Sequence, residues 1–328
     1  MLYYVKSQEE GMRADKLVSD ILEDIPRAFV SKNIDAFVLV DGKKVKQSYR
    51  LKEAQKITID IEGLKKKYSE EIERLDLESN IIPQKSALNI VHESKDYIVL
   101  KKPSGLVVHP GISHERDTLA NYVKSYLAEK KEYDLELKRA GIVHRLDMPV
   151  SGLIVFAKNR KFQKHLSKQF EDHEVLKIYH AEYEIYGGQK VFDGFKKKEL
   201  VNKVIEEYEQ GKDLNLSEWI EVSGSIRRDP SNRKRMLFER NVKNDSLRYA
   251  QSYLLPLSES KMCVLIKTGR MHQIRATLKN MGVVLKGDKL YGYKGEDKGV
   301  ISLKSVVLGF VDMQNEKKVF NILNALNG

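Results

Sequence analysis

Apolar residues recur along this chain in two rhythms. In RADKLVSDILEDI, Leu17, Ile21, Leu22 and Ile25 stand at helical spacing. VLVDGKKVKQSYRLKEAQKITIDI reads instead as two short strands about an Asp41-Gly42 turn, then a loop and another strand. Residues 1–62 are thus expected to form a small unit of helix and basic hairpin. Residues 63–86 are charge-dense, hold few large apolar side chains and end in a Pro-containing stretch, which predicts a linker with some helix. Apolar density rises from Ala87, so a second unit is expected over 87–328, beginning with strands at 98–100 and 106–108 joined by a Lys-Lys-Pro-Ser-Gly turn. Leu119, Tyr122, Val123, Tyr126 and Leu127 mark one amphipathic helix, and Phe162, Leu166 and Phe170 another. LKIYHAEYEIYG alternates Ile178, His180, Glu182 and Glu184 against Tyr179, Ala181, Tyr183 and Ile185, a strand that carries Tyr179 inward. Residues 188–216 break this rhythm and are expected to be a surface insertion with a helix near 198–209. A strand at 262–267 then runs through Thr268-Gly269 into a helix marked by Ile274, Leu278 and Met281, with Gly282 as its stop.

Composition narrows the class. A chain of 328 residues suffices for roughly two domains, and 41% hydrophobic with 32% charged residues suits a soluble globular protein. No stretch approaches the roughly 18 apolar residues of a membrane span, and MLYYVKSQEEG lacks the regions of a signal peptide, so a cytoplasmic location is expected. The single cysteine, Cys263 in MCVLI, excludes an intramolecular disulfide and a thiolate-rich zinc site. The eight histidines show no metal-ligand spacing, so no metal is expected. With 58 Lys+Arg against 47 Asp+Glu, the net charge of +11 suits a partner with a phosphate backbone. A lysine-rich solvated surface would give the same number.

GIVHRLDMPVSGLIVFAK sets His144, Arg145 and Asp147 between apolar, β-prone runs at 142–143 and 153–157. Pro149 supplies no N–H and pushes Met148 toward an extended conformation, which makes 144–152 a rigid loop between strands. A carboxylate held beside a guanidinium there is placed for chemistry, while a structural salt bridge or turn cap remains the competing reading. Arg270, His272, Gln273 and Arg275 gather around a helix N-terminus, where free N–H groups and the dipole favour anions. SIRRDPSNRKRM concentrates Arg227, Arg228, Arg233, Lys234 and Arg235 in one expected loop, either a set of RNA-backbone contacts or a solvated hairpin tip.

Four segments, KKPSGLVVHP, HRLDMPVSGLIVFAK, LKIYHAEYEIYG and TGRMHQIRATLKNMGVVLKGDKLYG, resemble in their order the motifs of the RluA-type pseudouridine synthases. The resemblance covers most of 87 to about 310 and implies an α+β catalytic fold, a central mixed, largely antiparallel sheet flanked by helices. Residues 1–62 more weakly resemble the small ribosomal-protein-like RNA-binding domain of many members, in degenerate form, with IPRAFVSKNIDAF in place of the usual Ser-Arg helix start. Lys304 stands where the family often has His. The implied reaction breaks the N1–C1′ bond of a uridine, turns the uracil and rejoins it through C5, without cofactor. It needs a carboxylate near C1′, a surface for the free base, a group for the C5 proton and closure against water.

By this resemblance Asp147 is the catalytic carboxylate, Arg275 its partner, and Tyr179 stacks on the uracil with its hydroxyl near C5. Arg145 would fill the gap left by a flipped base and His144 orient the loop; Arg270, His272, Gln273 and Lys102 complete the implied substrate-binding set. The expected partner is RNA, ribosomal RNA of the large subunit first and transfer RNA second, bound by a monomer. An RNA-binding relative without catalysis would not require a carboxylate aimed into an anionic ligand's site. A metal-dependent nuclease using Asp147 and Asp288 would need further carboxylates and a Gly-rich phosphate loop that this chain lacks.

Overall fold

The computed structural model describes residues 1–22, 25, 27–46, 48–78, 81–111, 116–132, 134, 137–186, 191–240, 248–296 and 299–323. The chain divides into two compact units, Met1–Asn80 and Ile81–Gly328. The first contains β1 (Leu2–Tyr4), α1 (Ala14–Ile21), α2 (Arg27–Phe37), β2 (Val38–Val40), β3 (Lys43–Lys44), β4 (Lys56–Ile59) and α3 (Ile61–Glu78). Its antiparallel sheet has the order β1-β4-β2-β3. The β2–β3 turn falls at Asp41 and Gly42, both at positive φ, as a two-residue hairpin requires. Leu17, Val18, Val30, Ile34, Ile57 and Ile59 form the core.

The expected linker at 63–86 is largely helix instead. Leu64 of α3 is fully buried in the first unit's core, with Ile61 and Tyr68 packed against it. Spacings such as Lys66 to Glu70 support a helix without adding apolar density, which is why composition concealed it.

The second unit contains β5 (Ile90–Glu93), β6 (Tyr97–Lys102), α4 (Leu119–Glu129), β7 (Ser151–Ala157), α5 (Arg160–Glu171), β8 (Leu176–Ile185), α6 (Glu199–Glu209), β9 (Ile220–Arg228) and β10 (Met236–Arg240). It continues with β11 (Arg248–Pro256), β12 (Lys261–Ile266), α7 (Gln273–Asn280), β13 (Val283–Leu285), β14 (Leu303–Val311) and β15 (Lys317–Asn321). These strands join in one sheet of order β10-β9-β11-β12-β8-β14-β7-β6-β5, with β13 also on β8 and β15 on β14. Among the described residues only β7–β14 is parallel, so the sheet is mixed and largely antiparallel. Alternation along β7 and β8 sends Ile154, Phe156, Tyr179 and Ala181 to a core shared with α4 and α7. Leu153, Val155 and Ile178 face the layers formed by α5 and α6.

Three expectations change. Segments 106–108 and 142–143 make only isolated bridges, Val107 with Thr118 and Ile142 with Phe156. The Leu106 and Ile142 carbonyls are taken by the side chains of Lys102 and Gln163 rather than by a ladder. The stretch 188–216, described from residue 191 on, holds the expected helix as α6 but is not confined to the surface: Val201, Val204, Ile205 and Tyr208 are buried against Ile178, Leu265 and Val306. Finally, β9 and β10 extend into the expected basic loop, leaving 229–235 as its tip. Among the described residues no helix is long and apolar enough to cross a membrane.

Candidate active site

The loop that carries Asp147 starts from a turn in which Arg139, Ala140 and Gly141 all have positive φ, 49°, 53° and 83°. For L residues this conformation costs roughly 1–2 kcal/mol each. Gln163 of α5 holds it: its Nε2 donates to the carbonyls of Lys138 at 2.7 Å and Ile142 at 3.2 Å, and its Oε1 accepts the Lys138 N–H at 3.1 Å. His144 follows. Its Nε2 accepts the Val155 N–H of β7 at 3.1 Å, and its ring stacks on Phe170 at 4.6 Å. Burial, helped by the charge of Lys177, drives the His144 pKa down to about 3, so the imidazole is neutral as its acceptor role requires.

The far end of the loop is fastened to residues 103–106. The buried Lys102 Nζ donates to the carbonyls of Pro103, Leu106 and Met148 at 2.9, 2.7 and 3.1 Å. Ser104 Oγ donates to the Pro149 carbonyl at 2.7 Å, and the Gly105 N–H to that of Met148 at 2.9 Å. Burial pushes the Lys102 pKa down to about 8 against the pull of Asp147. Gly152, at φ 111°, lies against the Ser305 backbone of β14; a Cβ there would collide with it, which explains the Ser-Gly pair of the motif.

Asp147 therefore projects from a loop anchored on both sides. Its Oδ2 lies 3.6 Å from Arg275 Nη1 and 3.8 Å from His272 Nε2. Arg275 is 5% exposed and bidentate on the buried Asp288, with Nε to Oδ2 at 2.7 Å and Nη2 to Oδ1 at 2.8 Å. Its Cζ sits 4.8 Å over the Tyr291 ring. Burial alone would lower the Arg275 pKa; the hydrogen bond to Asp288 and the charges of Asp288 and Asp147 raise it above its ordinary value. His272, a left-handed residue at φ 52°, places Nδ1 3.1 Å from the Tyr291 hydroxyl. Burial keeps its pKa below normal although Asp147 pulls the other way.

Tyr179 is buried, and its hydroxyl has no hydrogen-bond partner among the described residues. Burial first, and then the negative charge of Asp147, raises its pKa, so the phenol stays protonated within the field of the carboxylate. Arg145 is exposed, with no ion pair or hydrogen bond among the described residues. A carboxylate beside a locked guanidinium and an unengaged phenol can attack or deprotonate a neighbouring carbon. No group of three or more His, Cys, Asp or Glu side chains converges as a metal site among the described residues.

The structure thus brings together Asp147, Arg275, His272 and Tyr179, with Arg145 at the rim. His144, named with the substrate-binding set but expected to orient the loop, binds the backbone of β7, and two residues expected to bind substrate are turned inward. Lys102 binds backbone, as above. Gln273 accepts from Thr268 Oγ1 and the Arg270 N–H at 2.8 and 3.0 Å, and donates to the Gln251 carbonyl and Ser252 Oγ, both at 3.0 Å. Buried backbone carbonyls and N–H groups require partners, and these side chains supply them. The proposed RNA-backbone set also divides: Arg227 is paired with Glu239 and Arg235 with Asp229, Arg228 donates to the Arg233 carbonyl at 3.1 Å, and Arg233 and Lys234 are exposed. The sequence reading missed Gln163 and Tyr291, and weighed Asp288 only as a metal ligand. A lone acid after the apolar run Val283–Leu285 was the available signal for Asp288.

Residues 96–280 match the family model for RNA pseudouridylate synthase, more than half of the chain. An uncharacterized RNA pseudouridine synthase of Aquifex aeolicus is 29% identical, over 89% of this chain and 80% of its own. The ribosomal large subunit pseudouridine synthase D of Borreliella burgdorferi is 29% identical over 87% of this chain and 77% of its own. An uncharacterized RNA pseudouridine synthase of Chlorobaculum parvum is 30% identical over 88% and 77%. The chain belongs to the RNA pseudouridine synthase family, isomerases that convert uridine in RNA to pseudouridine.

Proposed function

We propose that this enzyme isomerises uridine in large-subunit ribosomal RNA, with Asp147 engaging C1′ or C2′ of a flipped-out nucleotide. The observation that carries the reading is the buried Arg275, whose two bonds to Asp288 leave only Nη1 to face the partly exposed Asp147. That arrangement sets a fixed guanidinium beside the carboxylate, within reach of the negative charge it would share with a reacting ribose. The Tyr179 ring supports the detached uracil, and its hydroxyl lies toward the C5 proton, which leaves as N1 gains one; no other reagent is consumed. Arg145 occupies the gap in the RNA stack, a step whose cost of a few kcal/mol the pocket contacts offset. Support for the substrate comes from relatives named for the ribosomal large subunit. Residues 1–62 act as an RNA-binding domain in this reading, with Lys43 and Lys44 exposed on β3.

Pseudouridine mapping in total RNA from cells with and without the gene tests it. Loss of one or more large-subunit positions is expected. An unchanged large-subunit pattern with a lost transfer-RNA position would move the substrate to transfer RNA.

A further inference from the structure

Three cations beside the site have no carboxylate to neutralise them. Lys177 lies on β8 two residues before Tyr179 and is 5% exposed. Its Nζ donates to the Lys267 carbonyl at 3.2 Å and stands 5.7 Å over the Phe170 ring. Lys267 follows β12 directly, its N–H on the Gln251 carbonyl at 3.1 Å, and Arg270 Nε donates to the Tyr249 carbonyl at 3.0 Å. Because β12 pairs with both β8 and β11, these groups collect at one end of a three-strand ladder. Lys177, Lys267 and Arg270 form no ion pair among the described residues.

Their electrostatic neighbours are cations as well. Burial, then the charge of Lys267, pushes the Lys177 pKa down to about 8. Burial lowers that of Lys267, and burial followed by Arg248 lowers that of Arg270. A buried ammonium repelled by its surroundings is destabilising until an anion arrives. The hairpin cations Arg227 and Arg235, by contrast, already have Glu239 and Asp229.

Two routes connect this shelf to Asp147. His144, three residues before Asp147, feels the Lys177 charge and stacks on the same Phe170. Arg270 lies two residues before His272, whose Nε2 is 3.8 Å from Asp147. We propose that Lys177, Lys267 and Arg270 form a phosphate subsite that grips the RNA backbone next to the target uridine. The proposal rests on the pseudouridine synthase reading. A nucleotide whose base leaves the stack needs its flanking phosphates held, and charge-assisted bonds to phosphate do this without reading sequence.

The test measures binding of protein-free large-subunit ribosomal RNA by the full chain against potassium chloride concentration, with pseudouridine formation on the same RNA followed in parallel. For the double variant Lys267→Gln, Arg270→Gln, Kd should rise on the order of tenfold and the salt slope fall by roughly 1.4 for two lost contacts. Lys177→Met should weaken binding while keeping or raising thermal stability, since it removes a buried, unpaired charge. At matched ionic strength, inorganic phosphate should compete no better than chloride. Specific displacement by phosphate would make the shelf a small-anion pocket and overturn a backbone role. An unchanged Kd and slope in the double variant would overturn the subsite, as would equal losses in Arg227→Gln, Arg235→Gln. If the parent forms pseudouridine while the double variant binds normally, the shelf fails and the enzyme reading stands; a parent that forms none removes both.

Discussion

Asp147→Asn and Asp288→Asn each remove one negative charge from the surroundings of the same guanidinium, yet they should affect the fold to very different degrees. In Asp288→Asn the buried Arg275 keeps one amide acceptor in place of two charged bonds at 2.7 and 2.8 Å. Breaking a buried pair on one side costs about 3–5 kcal/mol. Asp147, 3.6 Å away, recovers part of this by pairing more closely with Arg275, leaving a net loss of about 2–4 kcal/mol. In a unit of this size that lowers Tm by roughly 5–15 °C. Asp147→Asn leaves the Arg275–Asp288 pair intact and removes only a partly exposed carboxylate 3.6 Å from Nη1, so Tm should stay nearly level. Turnover should vanish in Asp147→Asn and fall by roughly 100-fold or more in Asp288→Asn, where the arginine is no longer held in position. Thermal unfolding by circular dichroism and pseudouridine formation on a transcript give both readouts. A variant Asp147→Asn that melts below Asp288→Asn would refute the account of Arg275. Turnover within about tenfold of the parent would refute the role given to Asp147.

Lys102→Met leaves the Pro103 and Leu106 carbonyls without a donor and that of Met148 with only the Gly105 N–H, and should cost about 2–4 kcal/mol in urea unfolding and roughly 100-fold in kcat on saturating RNA; an unchanged kcat would show that the two loops do not depend on it. His144 stays neutral in the fold down to about pH 3 but takes a proton near its ordinary value when unfolded, so the unfolded chain binds more protons between these limits and stability falls as pH drops through that window. At about pH 4.5 this loss reaches roughly 2–3 kcal/mol. His144→Gln keeps an acceptor for the Val155 N–H without titrating, and its urea midpoint should depend less on pH by that amount; identical pH dependence would contradict the assignment. Tyr179→Phe should leave stability level or slightly higher, because the hydroxyl has no partner among the described residues, while turnover falls. Full turnover in Tyr179→Phe with loss in Tyr179→Leu would assign the function to the ring alone.

Elements with a clear apolar period were legible from sequence. Alternation identified β8 and the inward direction of Tyr179, and Ile274 and Leu278 identified α7. Pro149 correctly marked the Asp147 loop. What remained hidden depends on contacts between distant residues. Lys102 reaches Met148 across 46 positions and Gln163 reaches Lys138 across 25, so neither spacing nor composition distinguishes a polar residue that fastens backbone from one that touches substrate. The same limit applied to the packing of α3 and α6: helix was expected in both stretches, near 198–209 and within 63–86, but a narrow apolar stripe such as Val201, Val204, Ile205 and Tyr208 was outweighed by surrounding charge, and its burial went unread.

The fastenings of the Asp147 loop share one property. Lys102, Ser104 and Gln163 bind carbonyls, and His144 binds an N–H, so nearly every anchor grips main chain and is indifferent to which side chains the gripped residues carry. Arg145 and Met148, on either side of the buried Leu146 and the carboxylate, are exposed and anchor nothing through their side chains. In the proposed reading, with Arg145 in the RNA stack and Asp147 at the ribose, recognition and chemistry are therefore separable on a single short segment. Replacements at 145 and 148 can retune the loop toward another RNA surface while the carboxylate keeps its coordinates, which makes this loop a natural place to reprogram target choice.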